Sequence, residues 1–183
     1  MAVPIINVSI LNGSNGFRLD GAKGSSSFGR SVSTAGDVNG DGFDDVIIGS
    51  SDTSYVVFGK ASGFDATLGL SSLDGSNGFR LDGAGHSVSG AGDVNGDGFD
   101  DLIIGSPSSD LNGDFSGSSY VVFGKNSGFD ATMNLSSLDG NNGFRLDGAE
   151  QGDQSGTSVS NAGDINGDGF DDLIVNASRS TNK

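Results

Sequence analysis

A nine-residue stretch, Asp-Val-Asn-Gly-Asp-Gly-Phe-Asp-Asp, occupies residues 37–45, returns unchanged at 93–101, and returns at 164–172 with Ile in place of Val. Such recurrence constrains a fold more than composition does, because each copy must open into the same local structure. Other segments recur with it. Gly-Phe-Arg-Leu-Asp-Gly-Ala starts at Gly16, Gly78 and Gly143, and Ser-Tyr-Val-Val-Phe-Gly-Lys starts at Ser54 and Ser119. A unit of about 60–65 residues accounts for all of them. Lys60–Ala84 matches Lys125–Ala149 at 21 of 25 positions, the mark of recent duplication.

Within a unit the pattern is that of short strands. Residues 31–37 and 87–93 are small-residue strands entering the loop (A), and the β-branched runs 46–50 and 102–106 leave it (B). Tyr-Val-Val-Phe-Gly is a third strand (C). Gly-Phe-Arg-Leu-Asp-Gly alternates apolar and charged residues like a half-buried strand (D). No stretch carries a helical stripe. Along the chain the order is D, ABCD, ABCD, AB, which is eleven strands or about 2.75 four-stranded units. The expected fold class is all-β: a partial β-propeller whose ring is incomplete, since propellers close with about 4–8 blades. The expected divisions are residues 1–22 as the last strand of a preceding blade, 23–84 as blade 1, 85–149 as blade 2, and 150–183 as a truncated blade 3. The remaining blades are expected from a longer parent chain rather than from self-assembly.

Composition narrows the function. The formal net charge is −15, and Asp supplies 23 of the 24 acids. Twelve of those Asp lie in the three loops, so about half the acidity is placed rather than spread. With nine Lys plus Arg, such a surface repels phosphate backbones and anionic lipid, which argues against nucleic acid and membrane partners. Cys is absent, removing disulfides and thiolate metal sites. No apolar run approaches the ~18 residues of a membrane span. The opening residues lack the basic and apolar regions of a signal peptide.

The run Phe28-Gly29 … Gly36-Asp37-Val38-Asn39-Gly40-Asp41-Gly42 … Asp44-Asp45-Val46-Ile47-Ile48-Gly49-Ser50 resembles the FG-GAP repeat of integrin alpha-subunit β-propellers, and similar repeats occur in bacterial surface and secreted proteins. The resemblance covers nearly the whole chain. Copies depart from it in places: Gly85 and Ser155-Gly156 stand where Phe-Gly is expected, and copy three ends Asn176-Ala177-Ser178 instead of Gly-Ala-Pro. The resemblance implies about 2.75 FG-GAP blades, an extracellular or cell-surface location, and an adhesion or scaffolding role.

Calcium takes six to eight oxygens from a chain that curls tightly around one point. Alternation places side-chain oxygens at loop positions 1, 3 and 5, Gly at position 6 permits the turn, and positions 7 and 9 offer a carbonyl and a carboxylate. The expected ligands are Asp37, Asn39, Asp41, the Phe43 carbonyl and Asp45; Asp93, Asn95, Asp97, the Phe99 carbonyl and Asp101; and Asp164, Asn166, Asp168, the Phe170 carbonyl and Asp172. This gives about three Ca2+ sites. The resemblance implies the same positions. An EF-hand requires Glu at position 12, where Ile48, Ile104 and Val175 stand. A plain Asx- and Gly-rich turn is the alternative, but it has no need of an acid at position 9. The position-8 acids Asp44, Asp100 and Asp171 are expected to face water, because adjacent strand residues point to opposite faces. Asp110, Asn112 and Asp114 repeat half the motif without its Gly, since Phe115 takes that place.

Catalytic residues are few: one His, no Cys, no nucleophile elbow and no phosphate-binding Gly loop. His86 stands where copy one has Arg30, and an ordinary loop-edge role is expected. The A–B loop keeps one length, whereas B–C grows from residues 51–54 to 106–119 and the D–A connector also varies. The two variable connections belong at the end opposite the A–B loops, where an unknown protein or glycan ligand is expected. The resemblance to integrin propellers implies the same face; neutral drift of loop length is the alternative. The expected function is a non-enzymatic, calcium-binding adhesion or interaction scaffold. The alternatives are an accessory propeller of a secreted enzyme whose catalytic domain lies outside this chain, and a spacer without a ligand.

Overall fold

The computed structural model describes residues 7–21 and 27–177, and its architecture is all-β. The expectations for the first six residues, the start of the connector at 22–26 and the last six residues lie outside the described residues. After β1 (Arg18–Asp20), the first full unit forms β2 (Ser31–Gly36), β3 (Asp45–Gly49), β4 (Thr53–Val57), β5 (Thr67–Gly69) and β6 (Gly78–Asp82). The second forms β7 (Ser87–Gly92), β8 (Asp101–Ser106), β9 (Ser118–Val122), β10 (Thr132–Asn134) and β11 (Gly143–Asp147). The third forms β12 (Val159–Gly163) and β13 (Asp172–Val175). Strands A to D of each full unit make one antiparallel meander, β2-β3-β4-β6 and then β7-β8-β9-β11. The only helices among the described residues are three single 3₁₀ turns.

Successive side chains on a strand point to opposite faces, and here both faces are apolar. Ile47 and Ile48, like Val56 and Val57, are buried on opposite sides of the first sheet. The sheets therefore stack. Ala35, Ile47, Val56, Phe79 and Leu81 of the first sheet pack against Val88, Leu102, Ile104 and Val122 of the second. Ala91, Ile103 and Val121 continue onto Val159, Leu173 and Val175 of the third. Each fully buried aliphatic side chain stabilises this stack by ~1.5–3 kcal/mol. The A strands are rich in Ser, Gly and Ala because they run beside one another at close quarters. Their serines join them: Val88 N–H donates to Ser31 Oγ at 3.0 Å, and Val159 N–H to Ser87 Oγ at 2.9 Å.

Two strands were not expected. β5 and β10 lie in the C–D connections, and each leaves its own unit to pair in parallel with the D strand of the unit before. β5 pairs with β1 (Arg18↔Thr67) and β10 with β6 (Arg80↔Thr132). An aromatic pair accompanies each: Phe17 stacks on Phe64 with ring centroids 4.1 Å apart, and Phe79 on Phe129 at 4.3 Å. These backward staples tie neighbouring units together at the D-strand edge, as the serines do at the A-strand edge.

Candidate metal loops

The three acidic loops join β2 to β3, β7 to β8, and β12 to β13, at the positions expected. Each curls around its first aspartate. Asp37 accepts from Asp41 N–H at 3.0 Å and Gly42 N–H at 2.8 Å, while Asn39 Oδ1 accepts from Asp41 N–H at 2.9 Å. Asp93 receives Asp97 N–H at 3.0 Å and Gly98 N–H at 2.8 Å; Asp164 receives Asp168 N–H at 3.1 Å and Gly169 N–H at 3.0 Å. Those backbone donors hold the Asp164 carboxyl below the usual carboxylate range, Gly169 contributing most. Position 5 closes each turn, with Asp41, Asp97 and Asp168 accepting the amide of the following Phe. The curl requires left-handed backbone at Gly40 (φ +72°) and Gly42 (φ +89°), which glycine adopts freely.

Position 9 differs in setting. Asp45 and Asp101 are fully buried. Asp45 accepts from Val38 N–H at 3.0 Å and from Gly59 N–H at 2.8 Å, tying the loop to the end of strand C. Asp101 makes the same pair of bonds with Val94 and Gly124. Burial pushes each carboxyl up to about 7 against the pull of those amides, and the acids at positions 5 and 1 add to the rise. Asp172 is half-buried and bonds Ile165 N–H at 3.0 Å.

Each loop thus gathers hard oxygen donors of the kind calcium takes, while Mg2+ suits them less because it retains several waters. Among the described residues, the carboxylates do not converge into a group of three around one point. In this conformation their oxygens are engaged by the loop's own amides. No cation balances them either: the ion pairs among the described residues are Arg18–Asp20, Arg80–Asp82 and Arg145–Asp147, all on D strands.

Two of the three position-8 acids, Asp100 and Asp171, correct the expectation that they face water. Asp100 Oδ2 accepts from Asp37 N–H at 2.8 Å, and Asp171 Oδ2 from Asp93 N–H at 2.9 Å. The return bonds, Asp100 N–H to Asp37 O and Asp171 N–H to Asp93 O, complete a two-bond clasp between successive loops. Asp44, with no such bond among the described residues, is exposed as expected. Position 7 joins in: the Phe99 ring lies over Gly40 and the Phe170 ring over Gly96, where any Cβ would collide. The signal for both contacts was the retention of Asp and Phe at positions that the loop itself does not need.

At the other connections, the 106–119 insertion packs on the following D–A connector. Gly148 N–H donates to Gly117 O, Gly152 N–H to Asp114 O, and Ser155 N–H to Ser116 O, at 2.9, 3.0 and 3.0 Å. The half-motif within it is used for this packing, because Asn112 Nδ2 donates to Gly148 O at 2.8 Å. Leu111 and Phe115 stand out from it, 52% and 54% exposed. His86 Nε2 lies 3.2 Å from Arg30 Nη2, so the two residues at equivalent positions in successive units touch. Burial, and then the Arg30 charge, hold the His86 pKa below its ordinary value.

Stacked antiparallel sheets, each with an Asp-, Asn- and Gly-rich loop between its first two strands, define a class of repeat protein. Residues 28–62, 84–122 and 155–183 match the FG-GAP repeat, more than half of the chain, and the protein belongs to that family. It is similar to integrin alpha-4 of Xenopus laevis, with 30% identity over 172 residues covering 88% of this chain. The chain spans 15% of that relative's length. The sequence holds one His and no Cys, and its likeness is to the FG-GAP repeat and to integrin alpha-4. No helix among the described residues is long and apolar enough to cross a membrane.

Proposed function

We propose that this chain is a calcium-binding segment of a β-propeller, with blades divided at 23–84, 85–149 and 150–183, in an extracellular or cell-surface protein of the type that bacteria also carry. Its role is adhesion or protein interaction. The observation that carries the metal reading is the loop acidity: buried Asp45 and Asp101, each near two further acids of its own loop, with no ion pair to any loop among the described residues. A divalent cation held by positions 1, 3, 5, 7 and 9 neutralises that charge, at the cost of turning the position-1, -3 and -5 oxygens from the loop amides. The packed connectors at 106–119 and 148–156, with Leu111 and Phe115 exposed, are where a protein or glycan ligand is recognised.

Thermal unfolding with and without metal tests this. Each independent site adds ~2.7 kcal/mol at a 100-fold excess of calcium over Kd. A rise in melting temperature with calcium, reversed by chelator, is expected; a curve indifferent to both overturns the metal reading.

A further inference from the structure

The acidic loops touch one another through atoms that the proposed cation does not use. In the first loop a cation engages the Asp37 carboxylate, whereas the second loop holds the Asp37 main chain. Asp100 Oδ2 accepts its N–H at 2.8 Å, and Asp100 N–H donates to its carbonyl at 3.4 Å. In the second loop a cation engages the Phe99 carbonyl and the Asp101 carboxylate. The Phe99 ring and the Asp100 side chain are left to rest on the first loop. The seat fits that carboxylate closely: a Cβ on Gly36 would collide with Asp100 Oδ2, and one on Gly92 with Asp171 Oδ2.

A second path runs beside the first. Asp101 Oδ1 accepts from Gly124 N–H at 2.8 Å, and the next amide, Lys125 N–H, donates to Val38 O at 2.9 Å. The third loop holds the second as the second holds the first. Asp171 clasps the Asp93 main chain at 2.9 and 3.1 Å, and the Phe170 ring covers Gly96. Residues 99–101 are consecutive, so a cation that fixes the first carbonyl and the last carboxylate also fixes the carboxylate between them. The clasped loop is then ordered before its own cation arrives, and it loses less conformational entropy on binding. Without the clasp, like charge alone would make neighbouring cations oppose each other.

We infer that Asp100 and Asp171 are positioning residues that couple the three loops, so that a divalent cation in one loop raises the affinity of the loop it clasps. Linkage makes the effect reciprocal, and the middle loop, clasped on both sides, carries most of it. The inference rests on the calcium reading above and extends it from single loops to their series.

The test is a calcium titration of the full, isotope-labelled 183-residue chain, followed by amide resonances. Gly42, Gly98 and Gly169 report on one loop each, because each amide donates to a position-1 carboxylate. In the parent, all three curves are expected to be steeper than single-site binding. Asp100→Ala is expected to weaken the first and second loops about fivefold. Asp100→Asn loses the same charge but keeps an acceptor for the Asp37 amide, and should restore most of that affinity. The parent's steepness decides the matter even if Asp100→Ala fails to fold. Curves no steeper than single-site binding, or equal losses in the two variants, overturn the coupling and leave the metal reading standing. Glycine amides indifferent to calcium overturn both.

Discussion

Asp44 and Asp100 hold the same position in identical loops, yet among the described residues Asp100 clasps the preceding loop while Asp44 is exposed. Asp100→Ala removes a charged acceptor from the Asp37 amide and is expected to cost ~1–3 kcal/mol, whereas Asp44→Ala stays within ~0.5 kcal/mol. Urea unfolding of the two variants checks this, and equal effects would refute the clasp. His86 permits a second test, because it is the only histidine and gives one titrating ring. Its folded pKa lies below the unfolded value, so the stability it contributes is complete above the ordinary histidine range. That contribution is lost as pH falls through the folded value. Imidazole resonances should therefore titrate below ~6.5, and Arg30→Ala should move them up; an unchanged midpoint would show that the Arg30 contact is inert. Neither partner was legible beforehand, because each contact joins residues more than 50 positions apart in different units.

Among elements, strands A to D were readable because alternation and β-branched runs mark them within one unit. β5 and β10 were not. Thr67-Leu68-Gly69 and Thr132-Met133-Asn134 are too short for a periodic signal, and their partners lie in the preceding unit. The loops combine both situations: their Asp-, Asn- and Gly-rich pattern was visible, while the glycines on which their Phe rings rest were not. Gly40 and Gly167 separate the two contributions, since both have positive φ but only Gly40 lies under a Phe ring. Gly167→Ala is expected to cost ~1 kcal/mol from backbone strain alone, and Gly40→Ala clearly more. Parallel melting curves of the two variants measure the difference. For the metal, Asp41→Ala with Asp45→Ala should lower the calcium stoichiometry from three to two in native mass spectrometry; a loss of all three would mean that the loops bind as a unit.

For the molecule as a whole, charge and cohesion oppose each other. A net charge of −15 repels itself, and the loops concentrate much of that acidity. Monovalent salt is therefore expected to raise the melting temperature of the calcium-free chain more than that of the calcium-loaded chain; an equal salt response in both would disprove the placement of cations in the loops. Cohesion comes from side chains and short staples that cross from unit to unit. Those staples point backward, which matters while the chain is being made. β6 ends at Asp82, but the strand that covers it begins at Thr132, about 50 residues later, or roughly 3–10 s of translation at ~5–20 residues per second. Throughout that interval a bare strand edge waits beside a ribosome. On a polysome, nascent chains carrying the nearly identical 60–84 segment would be the nearest competitors for it, so the D-strand edge of each unit is where neighbouring chains are expected to entangle during synthesis.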